Sequence, residues 1–179
     1  MKTLMTCTTM MILTATMLTA QTPATTDTGY TATVRARWNA VKKNVATSAQ
    51  AMPEANYSYK PTPDVRSFGE LIGHLTNEHY LLCSPLKGEK NPQAGVDFEK
   101  TTAKADLVKA IDDSIAYCDA AYAAVKDDPK TIAPFSAEQR DTPFRVMVLN
   151  VTHDSEHYGN IVTYLRLKGI VPPSSQPSR

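Results

Sequence analysis

A chain of 179 residues is long enough for one domain with its own core and too short for several. A hydrophobic fraction of 42 % with 7 % aromatics excludes a disordered chain and a membrane protein of many spans. The formal net charge of +1 offers no basic excess for phosphates, so nucleic acid is not expected as a partner.

The N-terminus reads as an address. After Lys2 the run TLMTCTTMMILTATMLTA carries no charge, and the first acid is Asp27. A basic start, an apolar middle and a close at Ala20 have the layout of a secretory signal peptide, placed at residues 1–20. The mature protein is then expected to be exported, periplasmic or secreted, with no membrane segment after cleavage. Residues 21–29, QTPATTDTG, read as a polar linker and 30–171 as the folded domain. Cys83 and Cys118 remain in the mature chain. In an oxidising compartment they pair if their helices are neighbours, and otherwise they serve as two small buried hydrophobes.

Helical periodicity begins near residue 29. Val34, Trp38, Val41 and Val45 share one face, which predicts a first helix over 29–51. Residues 52–66 hold three prolines and read as a loop. Ser67 and Glu70 form an S-x-x-E capping box ahead of Leu71, Leu75 and Leu82, which predicts a second helix from 67 to about 84, ended by Pro85. A loop over 85–97 leads to a third helix over 98–126, with Leu107, Ile111, Ile115, Cys118 and Tyr122 on its core face. A third loop spans 127–141. Thr142 as N-cap, Pro143 at the first helical position and Gly169 past the end bound a fourth helix over 142–169. The tail, 172–179, is expected to be disordered. No strand pattern stands out. The class is all-α, a four-helix bundle with long crossover loops. Thirteen extended residues span about 40 Å, enough to let the second and third helices run parallel.

All four histidines fall on two of these helices. His153 and His157, spaced i, i+4, stack on one helical face, where both reach a single metal ion. His74 and His79 lie five apart on the second helix and point about 140° away from each other, so only one of them joins that pair readily. Three histidines with an open fourth position form a catalytic zinc site. Rival motifs fit less well. A zinc-protease helix needs Glu where Asp154 stands, and a di-iron bundle needs E-x-x-H, which this chain lacks.

Two segments carry a family resemblance. SFGELIGHLTNEH, Ser67 to His79, and HDSEHYGNIVTYLRLKGIVPP, His153 to Pro173, resemble the corresponding helices of the DinB family. The resemblance implies a four-helix bundle with a crossover and one divalent metal held by His74, His153 and His157. It implies a thiol-dependent transferase or isomerase, or a metal-dependent hydrolase. The expected cofactor is Zn²⁺ or Ni²⁺, which would activate a water or thiol against a small-molecule substrate of unread identity. Glu78, one turn beyond His74, together with Asp154 and Glu156, are candidate general bases; a solvated helix face is the alternative for the last two. Tyr158 and Tyr164 read as core residues. A non-catalytic bundle stapled by its metal, or an interaction module, is the alternative function. Oligomeric state, including a homodimer, is open.

Overall fold

The computed structural model describes residues 29–127, 133–134 and 140–177. The expected signal peptide and residues 21–28 of the linker lie outside the described residues.

Four helices carry the fold: α1 Tyr30–Ala51, α2 Phe68–Lys87, α3 Lys104–Ala124 and α4 Pro143–Leu167. Short 3-10 turns at Glu54–Asn56, Phe98–Lys100 and Pro173–Ser175 punctuate the connections. In the third loop β1, Ala133–Pro134, pairs antiparallel with β2, Arg140–Asp141, a two-residue ladder that leaves the class all-α. None of the described helices is long and apolar enough to cross a membrane.

Contacts fix the directions. Going down α2, Gly69 lies against Leu107, His79 bonds Ser114 and Cys83 meets Cys118, so α2 and α3 run parallel. Going down α2 again, Phe68 meets Tyr164, His74 meets His157 and Cys83 meets Asn150, so α4 runs the other way. At one end of the bundle Arg35 donates to the Tyr122 carbonyl, and at the other Lys104 donates to that of Gln50, so α1 is antiparallel to α3. The order is up, down, down, up, and the 88–103 connection is the crossover.

The core follows the stripes expected of α1, α2 and α3, except that Ile115 is only half-buried, and α4 adds its own. Val34, Trp38, Val41 and Val45 are buried, as are Leu71, Leu75, Leu107, Ile111, Ile161 and Leu165. Trp38 stacks on Tyr122, meets the edge of His79 and donates to Asp119 at 2.7 Å. Cys83 and Cys118 form a disulfide with Cα atoms 5.2 Å apart, tying the parallel pair together.

Local signals hold at most termini. Ser67 and Glu70 complete their capping box, and Thr142 accepts from the Arg145 amide. Three boundaries differ from the sequence reading. First, α2 continues through Pro85 to Lys87. Pro85 sits in the last turn, where it costs only the bond to the Leu81 carbonyl. Gly88, in the left-handed region at φ 69°, ends the helix instead. Second, α3 starts at Lys104 rather than at 98. Asp97 caps a separate turn at Phe98–Lys100, and Thr101 and Ala103 are extended. Third, the described part of the tail, to 177, carries a turn at Pro173–Ser175. Two prolines lead into a turn in which Ser174 bonds the Tyr158 hydroxyl through both its amide and its side chain.

Candidate metal site

Antiparallel α2 and α4 bring His74 against the His153–His157 pair. His153 Nε2 lies 3.1 Å from His74 Nε2 and 3.1 Å from His157 Nε2. The three ligand atoms all fall within 4.8 Å of one another, and all three side chains are half-buried. Four ligands placed tetrahedrally at Zn–N distances of about 2.0–2.1 Å would lie roughly 3.3 Å apart. The two 3.1 Å separations from His153 are close to that edge. One proton cannot serve three converging ring nitrogens, whereas a cation that accepts three lone pairs can.

The His153 and His157 rings are held in the ligating form. Burial, and then the neighbouring His157 and His74, push His153 down to about 4. Burial, and then His74, lower His157 as well. Both are neutral at pH 7, as metal binding needs. On the far side of the His74 ring, Nδ1 lies 3.0 Å from a Glu99 oxygen. His157 Nδ1 is 3.4 Å from the Asn160 amide, and His153 Nδ1 is buried with no partner among the described residues.

A cavity of about 780 Å³ opens beside His157. Residues 60–66 form one wall, Asn160, Thr163 and Tyr164 of α4 another, and His157 and Glu99 face it. The Tyr164 hydroxyl donates to the Arg66 carbonyl and pins that wall to α4. Lys60 pairs with Glu70 and Arg66 with Glu99, so the cavity's polar lining carries both signs.

The chain matches the DinB superfamily model over residues 37–161, a span that includes all three histidines. The chain belongs to the DinB superfamily. No curated protein matches the sequence.

Within this DinB bundle, the remaining candidates separate. His79 is fully buried: Nδ1 lies 2.8 Å from the Ser114 hydroxyl and Nε2 lies 3.0 Å from Asp154. It is held among α1, α3 and Asp154 of α4 and is not one of the three converging histidines. Asp154 is fully buried too, and both its oxygens lie within 3.2 Å of His79 Nε2. Its expected alternative, a solvated helix face, does not hold, because α2 supplies a buried partner for the carboxylate. Ser114, His79 and Asp154 have the residue types of a nucleophilic triad, yet all three are wholly buried and out of a substrate's reach. They form a satisfied polar network in the DinB core. Glu156 is exposed on α4 and acts on His157 only through its charge. Glu78 lines a separate cavity beside the 91–97 loop, away from the one His157 faces. Tyr164 is buried, while Tyr158 is half-buried and holds the tail.

Sequence reasoning missed Glu99 and Arg66. Their signals were present but faint. Gly73, next to His74, lets a backbone approach closely, and the Thr pair at 101–102 weakens a helix start at 98.

Proposed function

We propose that this protein binds one divalent cation, zinc or nickel, through His74, His153 and His157. The metal would serve a hydrolase or transferase reaction on a small molecule held in the adjoining cavity. The observation that carries this reading is the convergence of three imidazole Nε2 atoms, with that of His153 3.1 Å from each of the other two and all three within 4.8 Å of one another. A bound divalent cation supplies a nucleophile by lowering the pKa of a coordinated water or thiol. His157 reaches from the ligand set to the cavity wall, which joins the metal position to the space a substrate would occupy. Asn160 and Thr163 offer that substrate hydrogen-bonding groups, and the paired Lys60 and Arg66 offer charge. An open cavity beside the ligands favours a reactive site over a closed structural one.

We also propose that the protein works outside the cytoplasm. The uncharged run at the N-terminus and the Cys83–Cys118 disulfide both support export.

The test is metal content by mass spectrometry of protein purified without added metal, beside a His153→Ala variant. One equivalent in the parent and none in the folded variant is the expected result. Full occupancy in the variant would overturn the ligand set, and no metal in a reconstituted parent would overturn the reading altogether. A parent that unfolds when chelated, with no exchangeable position on its metal, would turn the assignment to a metal-stapled bundle without catalysis.

A further inference from the structure

The geometry points to Glu99 as a positioning residue that fixes the tautomer and the aim of His74, with Arg66 holding the carboxylate in place. The inference rests on the three-histidine reading and adds to it two residues outside the ligand set.

Glu99 lies 25 positions from His74 in sequence and reaches it because the Phe98–Lys100 turn is seated directly on α2. A Cβ on Gly73 would stand 2.3 Å from the Phe98 carbonyl oxygen and 2.7 Å from the Glu99 amide nitrogen. Only glycine admits that approach. One turn on, the Asn77 side chain accepts from the Phe98 amide at 3.0 Å and donates to Asp97 at 3.1 Å. Asp97 in turn accepts from the Glu99 amide at 3.1 Å. Tyr80 stacks on Phe98. Gly73, Asn77 and Tyr80 lie along one stripe of α2, and together they dock the turn with Glu99 beside His74.

The carboxylate is then held from both sides. Glu99 Oε1 lies 3.0 Å from His74 Nδ1, while Arg66 grips both oxygens, Nε to Oε2 at 2.9 Å and a terminal nitrogen to Oε1 at 3.3 Å. The Arg66 and Glu99 side chains are 41 % and 28 % exposed, so this ion pair contributes little to stability. Its consequence lies in orientation. An ionised carboxylate only accepts, so it selects the Nδ1–H tautomer of His74. That choice leaves the Nε2 lone pair facing His153 and His157. Carboxylate support of this kind raises a histidine's basicity as a ligand. His74 is the ligand so equipped: His153 Nδ1 has no partner among the described residues, and His157 has an amide at 3.4 Å.

The experiment measures Zn²⁺ and Co²⁺ affinity by chelator competition for the full chain, Glu99→Gln, Arg66→Gln and the exposed control Asp106→Asn. It also reads the His74 tautomer in metal-free protein by ¹⁵N NMR. Glu99→Gln is expected to weaken binding about 10- to 100-fold. Arg66→Gln should lower affinity by less, and the control should leave it unchanged. In the metal-free parent His74 is expected as Nδ1–H, and in Glu99→Gln that preference is lost. Unchanged affinity in a folded Glu99→Gln, with the parent binding metal, would overturn the inference. So would an Nε2–H tautomer in the parent. A parent that binds no metal yet shows the Nδ1–H tautomer, lost in Glu99→Gln, would support the positioning role while the metal reading itself failed.

Discussion

At the residue scale, four histidines divide into three that converge on each other and one that does not. His79 differs from His74 only by its place on the helix, yet it meets a wholly different environment of Asp154, Ser114 and the edge of Trp38. Removing one partner of this buried pair should leave the other unsatisfied. His79→Leu leaves the Asp154 carboxyl oxygens without the ring that meets them, and Asp154→Leu leaves His79 Nε2 without its partner. Each is expected to cost about 1–3 kcal/mol. Urea unfolding of metal-free protein measures both losses, and two losses near zero would mean that the pair is not buried as described. Metal stoichiometry should survive in the folded fraction of both variants, which separates His79 from the ligands. The i, i+4 pair at 153 and 157 could be read from the sequence because both histidines lie on one helix. The burial of Asp154 could not, because its partner comes from α2 and depends on how two helices meet.

At the element scale, the capping box at Ser67 and the Thr142–Pro143 start were legible because a few adjacent residues determine them. The turn at Phe98–Lys100 was not. Its apolar spacing continues that of α3, so periodicity merges the two. Separation comes from Asp97 capping, two β-branched threonines and the flat contact with Gly73. That contact makes Gly73→Ala an informative substitution. In an isolated helix alanine is favoured over glycine by about 1 kcal/mol. Here the added methyl meets backbone, which cannot give way as a flexible side chain can, and overpacking typically costs about 1–3 kcal/mol. The variant is expected to be net destabilised. It should also bind metal more weakly, because the turn carrying Glu99 must lift from His74. A Gly73→Ala protein more stable than its parent would show that the turn is not seated as described.

At the scale of the whole molecule, long loops hinted at a crossover, and the parallel α2–α3 pair realises it. Parallel neighbours joined through a long connection gain less from local chain contacts than a hairpin does, and the Cys83–Cys118 bridge holds this pair covalently. The bridge closes a loop of 35 residues, and the entropy removed from the unfolded chain corresponds to roughly 3–4 kcal/mol. A Cys83→Ala/Cys118→Ala double variant should lose stability on that scale. The loss should appear in urea unfolding as a lower midpoint, with the slope reporting any expansion of the unfolded chain. Thiol counting in denaturant sets the cellular context of the same bridge. Cys7 precedes Ala20, so a chain exported, cleaved and oxidised should titrate no free thiol at all. Two reactive thiols in protein taken from its native compartment would mean that the pair is reduced there. The stability assigned to the bridge, and its support for export, would then both be lost.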